Sequence, residues 1–248
     1  MTDAPVLWQY SFSHFNEKAR WALDYKRVPH VRRSLLPGSP RAMWFGARGT
    51  LPVLDLEGER IVDSTPIIGA LERREPDRPL YPEDPDERRR ALDLEELFDE
   101  EMGHELRRVA FYDWDDSYVG ALLTTGQPAA VRGPFRAFLP LGMVYARRRY
   151  RIYPEDVAAS RVKVLAGLDR IEGELGSGDY LVGRSFSVAD LTAASLLFPL
   201  AWPEQLQHGV PEPTGWEFRE QFADRPALQW VREMYRRHRG SSAEIATG

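Results

Sequence analysis

Pro76, Pro79, Pro82 and Pro85 stand within ten residues, and no other feature so narrows what this chain can fold into. Proline lacks the N–H that a helix needs and its ring clashes with the preceding turn, so no helix runs through the stretch. It reads as an extended linker, and the chain has a different hydrophobic period on either side of it. Before it, short runs rich in strand formers alternate with helical spacing. Val6 to Tyr10 reads as a strand, Phe15 to Lys26 as a helix, and Val28 to Leu35 as a second strand. Pro52 to Leu56 and Arg60 to Val62 form a hairpin signal around Glu57-Gly58-Glu59. Ser64-Thr65-Pro66 opens a helix through Glu75, with a capping hydroxyl and an early proline.

After the linker every segment has a helical period. Asp86 to about Tyr118 reads as one long charged helix bent near Gly103. Ala129 to Arg151 reads as an arginine-rich helix interrupted around Pro140. Pro154 to Leu175 carries one apolar stripe, Ser187 to Leu200 is apolar enough to be the buried central helix, and Pro226 to Arg237 closes the fold. The expected division is an α/β domain over residues 1–78, a linker over 79–85 and an all-helical domain over 86–248.

Composition excludes several chemistries. With 43% hydrophobic and 29% charged residues the chain is an ordinary globular one, and 248 residues suffice for a buried core. A net charge of −5 gives no reason to expect nucleic acid. Only Lys18, Lys26 and Lys163 are lysines, an arginine bias that reflects GC-rich coding. Zero cysteines exclude disulfides, thiolate metal sites and a cysteine nucleophile. Met1 to Pro5 shows no signal peptide, and no apolar run approaches the roughly 20 residues of a membrane span. The cytoplasm is the expected location.

Four local features occur in order. Ser13-x-x-Asn16-x-x-x-Arg20 lies at the first strand-to-helix turn. Leu51-Pro52-Val53-Leu54 enters the third strand, Asp63-Ser64-Thr65-Pro66-Ile67-Ile68 starts the third helix, and Tyr180-Leu181-Val182-Gly183 precedes Phe186-Ser187-Val188-Ala189-Asp190-Leu191. Together with the element order, they make the chain resemble the glutathione transferase family over about Val6 to Arg239. The resemblance implies a thioredoxin-like α/β domain that binds the thiol, then an all-α domain that supplies the pocket for an electrophile. It also implies a homodimer and a detoxifying transferase that uses glutathione, or an analogous thiol, as co-substrate without a metal.

On this resemblance Ser13 falls where serine or cysteine does the chemistry. Both cysteine positions of the glutaredoxin-type turn are gone, since it reads Ser13-His14-Phe15-Asn16, so disulfide exchange has no attacking thiolate. A serine hydroxyl can instead donate to a bound thiolate, and the helix N-terminus adds favourable potential. Together these would lower a thiol pKa from about 8.5 toward neutrality. Pro52 matches the family's cis-proline, which leaves the Leu51 backbone to pair with the cysteinyl part of glutathione. Ser64 would hold the γ-glutamyl carboxylate and Asp63 the ammonium, although the usual residue is glutamate, one methylene longer. His14 and Asn16 are candidates for the pocket.

Each motif also has a structural reading. Ser13 can be a helix N-cap, Asp63-Ser64 an ordinary cap, and Pro52 a trans residue opening an edge strand. Ser187 and Asp190 form a capping box and need no chemistry. Glu101-x-x-His104 has no second copy, so no di-iron site is expected. Arg132, Arg136 and Arg147-Arg148-Arg149 flank Phe135, Phe138, Leu139, Leu141 and Met143, which suits a core helix with snorkelling arginines or one lying on a membrane. The functional readings are thiol transfer to an electrophilic small molecule, a non-catalytic binding or scaffolding protein of the same fold, and a thiol-dependent isomerase or dehalogenase.

Overall fold

The computed structural model describes residues 4–45 and 51–245. Strands β1 (Val6–Gln9), β2 (Val31–Ser34), β3 (Val53–Leu56) and β4 (Glu59–Val62) form one sheet in the order β2-β1-β3-β4. β1 and β2 are parallel, with Val6 opposite Val31, and need the crossover that helix α1 (His14–Tyr25) provides. β3 runs antiparallel to both neighbours, Leu54 facing Leu7 on one side and Ile61 on the other. Glu57 and Gly58 join β3 to β4 with φ of +50° and +86°, the two positive values that a tight primed turn requires. Helix α2 (Pro40–Phe45) precedes β3, and α3 (Ser64–Arg74) follows β4.

The extended stretch ends at Asp84, whose carboxylate accepts from the N–H groups of Asp86 and Glu87. Pro85 therefore sits in the first turn of α4 (Pro85–Leu97), where its missing donor costs nothing. The expected helix to Tyr118 is broken twice. A π-helical turn, Phe98–Gly103, interrupts the α-helical hydrogen bonding and leads into α5 (His104–Asp113). Trp114 and Asp115 then turn extended, and Asp115 caps a separate α6 (Asp116–Leu123) through the N–H of Tyr118.

Helix α7 (Ala129–Arg149) is continuous through Pro134 and Pro140, contrary to the expected interruption. Both prolines are exposed, where water can satisfy the carbonyls they leave without donors. Nor is α7 a core helix: only Leu139 and Met143 of its residues are buried. Helices α8 (Pro154–Leu175), α9 (Val188–Ala201), α10 (Glu217–Gln221) and α11 (Pro226–Met234) complete the chain, with a π-helical turn at Tyr235–Arg239. Every residue of α9 is buried, as its apolar sequence requires. Asp190 accepts from the Ser187 N–H and hydroxyl at 2.8 Å and from the Leu181 N–H at 2.8 Å.

The two halves share one hydrophobic core. Leu7, Trp21 and Leu54 from the sheet side join Leu94, Phe98, Leu196 and Val231 in a single cluster. The last described residues return to the sheet side, where the Ile245 N–H donates to the His30 carbonyl. Arg239 is wholly buried there, donating at 2.7 Å to both Glu17 and Asp24 of α1.

Candidate active site

The site begins where β1 gives way to α1. Ser13 occupies the N-cap position with an extended backbone (φ −80°, ψ 131°), yet among the described residues its hydroxyl caps nothing. Its backbone does the structural work: its N–H donates to Tyr10 and its carbonyl accepts from Glu17. Ser13 lines a cavity at the positive end of the helix.

Asn16 holds this turn. It is fully buried, accepts from the Tyr10 N–H at 3.1 Å, and donates to the Leu51 carbonyl at 3.2 Å. It is not among the residues lining the cavity; its amide ties two backbone segments together. The Leu51–Pro52 bond is cis. Pro52 in turn accepts from the N–H of Asp63, which brings the start of α3 beside the same loop.

Asp63 is exposed with φ +79°, unusual for a residue with a Cβ, whereas Ser64 is fully buried. One Asp63 carboxylate oxygen takes the Ser64 N–H at 2.6 Å and the Ser64 hydroxyl at 3.3 Å. Both Ser64 donors that the resemblance assigns to a γ-glutamyl carboxylate are thus already engaged by the neighbouring acid.

His14 does line the cavity. It is 6% exposed, and burial, reinforced by the positive Arg107 and by His104, pushes its pKa down to about 3. The imidazole is therefore neutral at working pH, and its buried Nε2 has no partner among the described residues. The far walls come from Arg107, Phe111 and Trp114 of α5 and its end, and from Phe198 and Trp202 around the end of α9. The Arg107 guanidinium lies 4.3 Å from the Tyr150 ring centroid, while its buried Nε has no hydrogen-bond partner among the described residues. No motif announces these residues, because each is one apolar or basic position within a helical period. A cavity walled by aromatic rings with few polar groups suits a planar apolar ligand.

A second buried cluster supports the start of α3. Lys18 of α1, with no exposed surface, donates to Thr65 at 3.0 Å, to Asp99 at 2.7 Å and to Glu95. Burial raises the Asp99 pKa, against the opposing pull of Lys18. The sequence offered Lys18 only as a polar position in an amphipathic helix. Among the described residues no group of histidines and carboxylates is arranged to hold a metal. His104 of the Glu101-x-x-His104 pair packs its ring 5.0 Å from that of Phe15.

A mixed four-stranded sheet with a cis proline facing a helix N-terminus, followed by a helical half, defines a thioredoxin-like domain carrying an all-α partner. Residues 7–79 match the glutathione S-transferase N-terminal domain, and residues 154–233 match the glutathione S-transferase C-terminal domain. The chain belongs to the glutathione S-transferase family. Among solved structures it is similar to a glutathione S-transferase of Methylobacterium radiotolerans JCM 2831 in complex with glutathione sulfonate. That likeness has 22% identity and a TM-score of 0.64, covering 99% of this chain and 97% of that one. Human glutathione transferase theta-2, in complex with glutathione and an unknown ligand, is 18% identical with a TM-score of 0.67, covering 96% and 83%. The beta-etherase LigF of Sphingobium sp. strain SYK-6 is 20% identical with a TM-score of 0.65, covering 94% and 99%. No curated protein matches the sequence.

Proposed function

We propose that the protein conjugates glutathione, or another low-molecular-weight thiol, to an electrophilic small molecule, with Ser13 holding the thiolate. The observation that carries this is Ser13 at the N-terminus of α1, its hydroxyl making no capping bond and the residue lining an aromatic cavity. Donating to a thiolate there, it stabilises the charged form, and the helix end adds to that stabilisation. The thiol then ionises nearer neutrality and its sulfur attacks an electrophile lodged between the α5 and α9 walls, displacing a leaving group such as halide as its anion, while Ser13 itself forms no covalent bond. Neutral His14 lines the cavity beside it without adding charge. Leu51 would pair with the cysteinyl backbone, and Asp63 with Ser64 would recognise the γ-glutamyl end. The glutathione and glutathione sulfonate in the human and Methylobacterium structures support that class of ligand. Two copies would form the working unit, by the family resemblance.

A specific observation favours a second reading, in which the fold binds without catalysing. Ser64's donors are closed off by Asp63, so a glutathione carboxylate must displace a carboxylate already in place. Calorimetric titration with glutathione separates the two. Saturable heat at millimolar ligand, together with conjugation of a generic aromatic halide, supports the transferase. Heat without turnover supports the binding protein, and no heat removes glutathione from both.

A further inference from the structure

The aromatic rings of the cavity account for a planar apolar body in it, but not for the polar atoms of its wall. Nε2 of His14, Nε of Arg107 and Nε1 of Trp114 belong to lining residues and are buried. None of the three has a hydrogen-bond partner among the described residues. Roughly nine in ten buried polar groups in folded proteins are bonded, so three orphans around one space mark what a ligand must satisfy.

The three do not ask for the same thing. His14 is neutral and hydrogen-bonds the Gly103 backbone through one ring nitrogen, which leaves Nε2 as an acceptor. The Trp114 indole and the Arg107 guanidinium can only donate. Among the described residues Arg107 is also the one cation lining the cavity, and no acid lines it. Lys18, Arg20, Lys26 and Arg239, the cations buried elsewhere, each reach a carboxylate within 2.8 Å. Arg107 pairs with none among the described residues. Burial pushes its pKa down and Arg149 and Arg108 add to the push, with Tyr150 opposing.

Both donors are held in place. The Arg107 guanidinium lies against the Tyr150 ring and 6.0 Å from the Phe15 centroid. The Trp114 ring packs 5.1 Å from Tyr118 and 5.2 Å from Trp216. Fixed donors around an unanswered positive charge describe an anion site, and a planar group with two acceptor oxygens matches the arginine fork. Leu51, Asp63 and Ser64, assigned above to glutathione, do not line this cavity, so the anion belongs to the second substrate.

We propose that the electrophile is an aromatic acid, its ring between the α5 and α9 walls and its carboxylate on Arg107 and the Trp114 indole N–H. For its reaction the inference rests on the transferase reading. The thiolate sulfur bonds to a ring carbon, the carbon–halogen bond breaks with its electron pair leaving on halide, and the thiol proton passes to solvent. The carboxylate stays bound and unreacted.

The test pairs a chloronitrobenzoate with the neutral chloronitrobenzamide of the same substitution pattern, each rate divided by its uncatalysed rate with glutathione. The parent should prefer the acid by about tenfold or more in kcat/KM, chiefly through KM. Arg107→Met should bring that ratio close to one, and Arg107→Lys, with the charge but not the fork, should hold part of it. Calorimetry with the chlorine-free nitrobenzoate and nitrobenzamide, without thiol, reads binding alone. There too the acid should bind about tenfold tighter to the parent, and no tighter to Arg107→Met. A parent that turns over both probes equally overturns the inference and leaves the transferase reading standing. A parent that turns over neither removes that reading, and the titration then decides: tighter nitrobenzoate binding upholds the anion site, equal or absent binding overturns it. A preference that survives Arg107→Met overturns it as well. So does an Arg107→Met variant that keeps the ratio while losing glutathione affinity, which would assign Arg107 to the thiol.

Discussion

The side-chain amide of Asn16 donates to the Leu51 carbonyl at 3.2 Å, joining the first turn of α1 to the residue ahead of the cis proline. The other end of the amide accepts from the Tyr10 N–H, so one side chain fixes both segments of the proposed thiol site. Asn16→Ala leaves the buried Leu51 carbonyl without that donor, which should cost about 1–3 kcal/mol. Urea unfolding reads the loss, and glutathione affinity should fall with it. An unchanged midpoint and unchanged affinity would show that the amide positions nothing.

Ser13→Ala should behave differently. The hydroxyl makes no capping bond, so the melting temperature should stay within a degree or two of the parent, well short of the shift that losing a cap costs. Thiol conjugation of a generic aromatic halide should drop about tenfold or more, the scale of a lost charge-assisted hydrogen bond. A fall in stability with activity kept would return Ser13 to a purely structural role.

Acid should weaken the fold through Glu17. Burial pushes this carboxyl up, but the Arg239 and Arg20 charges and an Arg239 hydrogen bond outweigh it and hold the pKa at about 2. The ordinary value is 4.5, so between the two the unfolded chain binds the extra proton. The Glu17 contribution is complete above pH 4.5 and lost as pH falls through about 2. Chemical denaturation across pH 3 to 7 should show stability rising with pH in that window, and Glu17→Gln should flatten the slope.

Lys18→Met removes the cation shared by Glu95 and Asp99 and leaves a buried and a half-buried acid facing each other. A loss of about 3–5 kcal/mol is expected, measured by denaturant unfolding. Thr65 loses its Lys18 donor in the same step, so glutathione binding should weaken through the start of α3.

Gly103 sits where the π-helical turn meets α5, and a Cβ there would stand 2.7 Å from Cζ of Phe15. Gly103→Ala should cost about 1–3 kcal/mol by overpacking. Because Phe15 lies directly against His14, with ring centroids 4.6 Å apart, the same substitution should perturb the cavity and raise KM for the electrophile.

The sheet, the Ser13 turn and the cis Leu51–Pro52 bond were legible because each is written in adjacent residues: a strand-former run, a broken turn, a family motif. Asn16 was legible as a position, but the sequence does not say that the Leu51 carbonyl waits 35 residues away. Arg107 and Trp114 were invisible because a cavity wall looks like any other helical stripe until helices pack. Lys18 pairs with residues 77 and 81 positions later, a contact to which local periodicity is blind. The exposure of α7 escaped for a related reason: period shows that a helix has an apolar side, and not whether anything lies against it.

Arg239 answers to Glu17 across 222 residues and to Asp24 across 215. On a ribosome this separation becomes a delay. The sheet and α1 emerge early carrying two acids destined for burial; Arg20 and Arg32 can pair with them at once, but Arg239, the cation they share, emerges far later. Until Arg239 is in place, Glu17 and Asp24 each keep only one of their two cationic partners, so the packing around α1 is completed from the second half of the chain. One arginine far along the chain is the clasp that closes the packing around its first helix.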